Sequence, residues 1–557
     1  MSTLRIAIKG ESVPTLERRL RDLRSIAAKF VRSKMRPLQT CRAALSGLLL
    51  DKHARAFFTA LPEEEKHYWI ASLYALLMPK ARRRKLAAYF TPPHLARHAI
   101  DILIAEGVVP GESRILDPAS GGAAFLVPLA ARIADEHRSR GARAETALKA
   151  IESTLAGIEI EPDLGALSRL LLSDLLRHQI VRTERRLNVH IQTADTLNLE
   201  DPPSLYDAII GNPPYGRVFR PTKKRLKQFA PVITDGYVNL YALFIEKTLR
   251  WVRPGGLICL VVPMSFVGGP HFAALRRRIL QTAHVLRLDP IDKRSDVFLD
   301  VLYDVCVLVL RKRNGKEPAA RAASSLIRID EDPRFLGYLD LPSAPTDRLW
   351  ALPDGAQDDR LFHRGLSTLE DYGYIARTGY FVWNREQHRY RAGFTPRSTE
   401  VPLYWAHNVR PNATCAPQDG GDDEERIGLV RIETAKSAVI RTDAIVLQRT
   451  SNRRQKRRLI AALIRQSRVP GGRGFLTENH TILLLPNPNR KQTLPLRTLC
   501  RLLNTQAVDA RFRRMSGSVS VSTKALRALP LPSATAVRAK FASKLTDDEA
   551  AEAAYEL

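Results

Sequence analysis

Asn212-Pro213-Pro214-Tyr215 follows directly on Gly211 and the apolar run Tyr206-Asp207-Ala208-Ile209-Ile210. The run reads as a strand, so the four residues set an amide, a rigid turn and an aromatic ring at a strand's carboxyl end. Open α/β sheets keep their chemistry there. The group suits the task of holding a planar amine while its nitrogen attacks a methyl donor. An exocyclic amine conjugated to a ring is a poor nucleophile, because its lone pair is delocalised. The Asn212 side-chain oxygen and the Pro213 carbonyl would each accept one amine N–H, drawing the nitrogen toward pyramidal geometry and freeing the pair. Two prolines fix the turn before substrate arrives, and Tyr215 would stack on the ring. The same residue types also make an ordinary strand-to-loop turn, so the neighbouring elements have to decide.

Those neighbours form a series. Arg114-Ile-Leu-Asp117-Pro118-Ala119-Ser120-Gly121-Gly122-Ala123 is a short strand running into a small-residue loop and then a helix. That pattern lets a nucleoside cofactor press against backbone. Asp117 ends the strand, where it would hold a charged amino group. A second strand, Leu155–Ile160, carries Glu159 at its end, placed to accept both ribose hydroxyls. A third, His190–Asp195, ends in Asp195, which would accept from an adenine amine. A glycine-rich loop alone is weak evidence; three strands ending in acids and then the Asn-Pro-Pro-Tyr turn are specific.

In this order the segments resemble the adenine-N6 DNA methyltransferases that use S-adenosyl-L-methionine, in particular the TaqI-type, gamma-order group of restriction-modification methylases. The resemblance is close over residues 86–312. It implies that Phe90, Thr91 and Pro92, in Ala88-Tyr-Phe-Thr-Pro-Pro-His94, touch the cofactor's methionine end, and that Pro118, Ala119, Gly121, Ile160, Thr196 and Asn212 complete the cofactor set. It further implies that Phe298 packs with Tyr215 against a base turned out of duplex DNA. The expected fold is α/β: a Rossmann-like methyltransferase domain with a mixed seven-stranded sheet, a helical N-terminal segment and an α+β target-recognition domain. The chain departs from the family pattern at Ala123, where a glycine is usual and where a positive φ would strain alanine.

Composition supports a polyanionic partner. Lys and Arg number 87 against 58 Asp and Glu, for a net charge of +29 and a pI near 10.2. From Val446 to Pro530 the only acids are Glu478 and Asp509. Arg453, Arg454, Lys456, Arg457 and Arg458 are the densest cluster in that stretch and the candidate phosphate contacts, a solvated helix face being the plainer reading. The loop Arg217–Arg225, with Lys223 and Lys224, follows the catalytic turn; it would steady the backbone of the extruded nucleotide or lie as a surface loop. Double-stranded DNA is the expected partner, held in a cleft between catalytic and recognition domains, with a separately encoded restriction nuclease or defence protein as a further one.

The expected organisation is a helical segment over 1–85, the catalytic domain over 86–312, a linker over 313–345 at a charged Gly/Pro break, the recognition domain over 346–535 and a tail over 536–557. Five scattered cysteines without Cys-x-x-Cys spacing point away from structural zinc and toward a reducing cytoplasm. His94 and His98 are one helical turn apart without a third ligand nearby in sequence, so no metal is expected. Glu64-Glu65-Lys66 lacks the preceding acid of a nuclease, and no apolar run is long enough to span a membrane. Three rivals stay open: an RNA adenine methyltransferase, a protein-glutamine methyltransferase using the same turn, and a DNA-specificity subunit with an inert cofactor fold.

Overall fold

The computed structural model describes residues 13–556 except 33–34, 50, 87–89, 293–303, 316–320, 329–330, 340, 343–348, 354, 356–365, 420–425, 433–435, 451–456 and 517–520. The chain divides into two units, meeting in sequence at 348/349, with 267–270 grouped with the second.

Five helices open the first unit: α1 (Val13–Arg32), α2 (Pro37–Leu45), α3 (Lys52–Thr59), α4 (Glu63–Leu77) and α5 (Lys80–Leu86). Asp51 caps α3 by accepting from the Ala54 amide, satisfying a donor that the first helical turn leaves open. Leu23, Ile26 and Phe30 of α1 and Trp69, Ile70 and Leu73 of α4 belong to the same hydrophobic core as Leu126, Leu167 and Ile191 further along the chain. These helices therefore share one core with the sheet. His67 of α4 and Asp174, whose side chains are both almost fully buried, meet at 3.0 Å and add a polar tie inside that contact.

Nine strands follow: β1 (Ile115–Asp117), β2 (Leu155–Glu159), β3 (His190–Thr193), β4 (Tyr206–Gly211), β5 (Val252–Pro263), β6 (Ala283–Pro290), β7 (Val305–Lys312), β8 (Ala323–Arg328) and β9 (Glu331–Tyr338). They form one sheet in the order β3-β2-β1-β4-β5-β7-β6-β8-β9. β1 to β5 pair with one another in parallel, and β7 runs antiparallel between β5 and β6. Helices cover both faces: α6 (Pro93–Ala105), α7 (Leu126–Ser139), α8 (Ala144–Thr154), α9 (Pro162–Leu175), α10 (Arg177–Thr183), α11 (Lys223–Gln228) and α12 (Leu240–Trp251). Strands covered on both faces read as unbroken apolar runs, as in Val305–Leu310, every residue of which is buried. Strand order reverses between β1 and β4, which opens a crevice at their carboxyl ends.

The resemblance implied a seven-stranded sheet; among the described residues the sheet has nine strands. Residues 313–345, expected as a linker, carry β8 and β9. The reason is a buried carboxylate: Asp289 at the end of β6 accepts from the Ser325 amide at 2.7 Å, and the Ser324 hydroxyl donates to the Leu288 carbonyl at 2.6 Å. The charged Gly/Pro stretch is a connection within the sheet.

The second unit has two four-stranded sheets. One runs β10 (Tyr374–Thr378), β17 (Thr481–Pro486), β14 (Ala444–Gln448), β15 (Ala461–Ile464); the other runs β11 (Tyr390–Gly393), β13 (Ile427–Arg431), β12 (Glu400–Tyr404), β16 (Leu476–Thr477). C-terminal helices, among them Leu496–Leu503, Gln506–Ser516 and Ala534–Phe541, pack on the first sheet through Leu499, Leu503, Phe512 and Val537. Among the described residues no helix is long and apolar enough to cross a membrane.

Candidate active site

At the crevice, Gly211 ends β4 beside Asp117, which ends β1. A Cβ on Gly211 would stand 2.9 Å from Asp117 Oδ1, so the glycine lets the carboxylate lie against the Asn-Pro-Pro-Tyr turn. Next in sequence, Asn212 donates from Nδ2 to Thr91 Oγ1 at 3.1 Å, and its Oδ1 accepts the Tyr215 hydroxyl at 2.5 Å. The Tyr215 hydroxyl also lies 3.0 Å from the Val261 carbonyl on β5. Burial holds this phenol well above its ordinary pKa, so it remains a neutral donor. The turn is thus fixed at three points, by the segment before α6, by its own tyrosine and by the neighbouring strand.

A cavity of about 270 Å³ lies against this turn. Eleven of the twelve residues expected at the cofactor line it: Phe90, Thr91, Asp117, Pro118, Ala119, Gly121, Glu159, Ile160, Asp195, Thr196 and Asn212. Pro214 of the catalytic turn joins them, while Pro213 is buried behind. Pro92 does not line it: it is the N-cap of α6, with φ −60° and ψ 150°, and its buried ring sets the direction in which the helix departs.

The three acids differ. Asp117 is 1% exposed, and burial pushes its pKa up to about 8; the Ala119 amide at 3.1 Å moderates that rise and Glu159 adds to it. Glu159 is also raised, first by burial, although the Glu161 and Gly121 amides both donate to it at 2.8 Å. Asp195 stands two residues beyond β3, bound to the Leu197 amide at 3.0 Å, to Asn198 at 2.9 Å and to Arg225 at 3.2 Å.

The loop after β1 is tightly held. Gly121 and Ala123 both have positive φ, 50° and 58°, and Ala123 is wholly buried. The strain the sequence pointed to is therefore present at Ala123, at roughly 1 kcal/mol. A Cβ on Gly122 would come within 2.5 Å of the Ala71 methyl on α4 and 3.3 Å of the Phe90 ring. Helix α4 and Phe90 thus form the back of the loop.

Sequence reasoning missed several lining residues. Ser120, Phe125 and Leu164 adjoin expected positions; Leu240 and Phe244 of α12 and Arg225 of α11 come from farther along. The alternation of α12 with the strands was the available signal for its inward face. Arg225 gave none, because a basic residue in a basic loop reads as solvated.

The residues fit a cationic nucleoside. Ser120 Oγ is buried beside the cavity, with no hydrogen-bond partner among the described residues. Two desolvated acids stand where positive charge would stabilise them, and Phe90, Phe244 and the half-exposed Ile160 offer apolar cover for a ring. Among the described residues no cluster of His, Cys, Asp and Glu is arranged to hold a metal ion.

Of the proposed DNA contacts, Lys223 and Lys224 are exposed on the first turn of α11. Phe298, Arg453, Arg454 and Lys456 lie outside the described residues. Arg457 and Arg458 require correction as phosphate contacts. Arg457 donates to the Asn504 carbonyl and lies 3.5 Å from Asp548. Arg458 is buried, its amide 2.6 Å from Asp509 Oδ1. The acid Asp509 turns the end of this basic run inward.

Residues 159–298 match the family described as Eco57I restriction-modification methylase. The chain is 29% identical over 212 residues to the type II methyltransferase M.TthHB8I of Thermus thermophilus, covering 36% of this chain and 40% of that one. It is 22% identical over 351 residues to the type II methyltransferase M.PstI of Providencia stuartii, covering 61% and 68%. The chain thus spans between two-fifths and about two-thirds of the length of these curated relatives. The solved structure of the type IIL restriction-modification enzyme MmeI in complex with DNA is similar over 88% of this chain and 78% of that chain, with a TM-score of 0.51 and 14% identity. The fold is that of an S-adenosylmethionine-dependent methyltransferase. The cavity lies at the β1/β4 crevice, where open α/β sheets bind their ligands, and the Asn-Pro-Pro-Tyr turn stands at its edge.

Proposed function

We propose that this chain is a site-specific DNA methyltransferase that modifies N6 of an adenine extruded from duplex DNA, as the modification enzyme of a restriction-modification or phage-defence system. The observation that carries this reading is Asn212, pinned by Thr91 and Tyr215 at the rim of the cavity that Asp117, Glu159 and Asp195 line. S-adenosyl-L-methionine, when bound, supplies a methyl group on a positively charged sulfur. Asp117 accepts from the cofactor's ammonium, Glu159 from its ribose hydroxyls and Asp195 from its adenine amine. An amide oxygen has room for two donors, so a substrate amine N–H joins or displaces the Tyr215 hydroxyl on Asn212 Oδ1, and the Pro213 carbonyl takes the other N–H. Tyr215 and Phe298 replace the stacking lost on extrusion. No general base is required, because the methylated nitrogen is cationic and loses its proton to water.

The net charge of +29 supports a nucleic acid over a protein substrate, and Lys223 and Lys224 lie on phosphates in this reading. A cytoplasmic site of action and a separately encoded nuclease partner go with it. The test is incubation with tritiated S-adenosyl-L-methionine and, in parallel, unmethylated genomic DNA, RNA and protein extract, beside Asn212→Ala. N6-methyladenine in DNA that falls at least a hundredfold in the variant, the scale for losing one pre-organised polar contact, supports the reading. Label in RNA or on glutamine replaces it with a rival. DNA binding without cofactor binding makes the inert specificity subunit correct.

A further inference from the structure

The chain leaving the catalytic turn is held for three residues and then released. The Gly216 carbonyl accepts the Leu240 amide at 2.9 Å, and the Val218 amide donates to the Val238 carbonyl at 2.9 Å. Between these bonds Arg217 and Asn239 form an antiparallel bridge. The stem is thereby tied to the start of α12, whose Leu240 and Phe244 line the cofactor cavity. Just past it, Phe219 is 80% exposed, the most exposed large hydrophobic side chain among the described residues.

A single exposed ring is ordinary by itself; the groups around Phe219 and its place just past the Asn-Pro-Pro-Tyr turn are what point to a partner. One side of it already has company: the Arg217 guanidinium lies 5.3 Å from the Phe219 ring centroid and 5.1 Å from that of Tyr237. Tyr237 in turn stacks on His271 at 4.5 Å with 17° between planes. Phe219, Arg217, Tyr237 and His271 thus form a chain of neighbouring groups that ends in a ring open to solvent. Exposed cations follow Phe219 in the sequence: Arg220, Lys223, Lys224 and Lys227. An exposed planar apolar ring in a basic segment matches a base stack within a phosphate backbone. Phe219 lies four positions beyond Tyr215, which keeps their Cα atoms within about 14 Å of each other.

We propose that Phe219 is a wedge that enters duplex DNA at the place vacated by the extruded adenine, with Arg217 bracing its ring from behind. This rests on the base-extruding DNA methyltransferase reading and adds to it the group that fills the gap. Extrusion leaves the partner base without a neighbour in the stack; the ring restores that neighbour and makes the extruded state persist. The role is one of positioning, since Phe219 touches the duplex and not the reacting nitrogen.

The test uses the full chain and a duplex bearing the site that methylation mapping of genomic DNA returns. Two readouts are taken for wild type, Phe219→Ala and Phe219→Trp: the single-turnover methylation rate, and the fluorescence of 2-aminopurine placed at the target position, which rises when the base leaves the stack. Phe219→Ala is expected to lose about tenfold in rate and most of the fluorescence rise, with cofactor affinity unchanged, while Phe219→Trp keeps both. On a duplex with a mismatch at the target, where extrusion is already easy, the alanine variant is expected to recover to within about twofold of wild type. Equal rates and fluorescence for wild type and Phe219→Ala on the matched duplex overturn the wedge alone, as does a loss that persists unchanged on the mismatched one. Absence of any DNA methylation by the wild-type chain overturns the parent reading, and the wedge falls with it.

Discussion

The two ends of the cofactor cavity solve opposite electrostatic problems. At one end Asp117 and Glu159 are buried, bonded only to backbone amides in the contacts that define them, and both are raised in pKa. At the other end Asp195 is already met by the Arg225 guanidinium at 3.2 Å, with its carboxylate about 29% exposed. The first end is unfavourable to charge until a cation arrives, so it discriminates strongly for one. The second is balanced beforehand and contributes shape and hydrogen bonding more than charge.

The largest effect follows from the first end. Asp117→Asn keeps the acceptor for the Ala119 amide but abolishes the charge, and calorimetry should show cofactor affinity falling by about 10- to 100-fold, the scale of a charge-assisted hydrogen bond. The same substitution should raise the melting temperature of the cofactor-free protein, because at neutral pH folding currently forces a proton onto a carboxyl that is ionised when unfolded. A variant that loses affinity and stability together would break the contrast.

A pH series comes next in size. With its folded pKa near 8, Asp117 is mostly protonated below that value and must release a proton to bind a cation. Cofactor affinity should therefore rise with pH, by up to about tenfold per unit between pH 6 and 7.5, and flatten above 8. Binding heats in buffers of different ionisation enthalpy would show one proton released at pH 7, and Asp117→Asn should flatten the profile. A pH-independent wild type would put the ammonium elsewhere.

How much of this the sequence disclosed depends on how local each feature is. Asp117, Glu159 and Asn212 were legible because each stands at the end of a short apolar run, and parallel strands in consecutive order bring such ends to one edge of a sheet. Asp195 was legible as a residue but not in its state, since Arg225 reaches it across 30 positions. Pro92 reads alike in sequence as a proline beside a cofactor segment and as one that starts a helix, and the structure shows it as the N-cap of α6. β8 and β9 were hidden by the charged and glycine-bearing residues that follow β7, and their anchor, the buried Asp289, lies back in β6. The second unit was least legible: β10 pairs with β17 more than a hundred residues away, and the turning inward of Arg458 depends on Asp509, 51 residues later.

Smaller effects sharpen the comparison from the second end. Asp195→Ala should weaken the cofactor by only about two- to fivefold, since one hydrogen bond from a neutral amine contributes about 1 kcal/mol or less; a loss as large as that of Asp117→Asn would make the ends equivalent. The smallest effect is expected at Ala123→Gly. Relief of positive φ is offset by the greater chain freedom of glycine, so thermal melting should change by about 1 kcal/mol or less, in the stabilising direction.

The contact between Gly122 and Ala71 gives position 71 a phenotype out of keeping with its address. It lies in a helix that precedes every strand of the sheet and carries no group able to reach a ligand. A valine or leucine there would press on the loop backbone from behind and surface in a kinetic screen as a raised KM for the methyl donor. Selection on the donor site thus extends into the first eighty residues of the chain, and a library confined to the cavity wall would overlook one of the residues that shapes it.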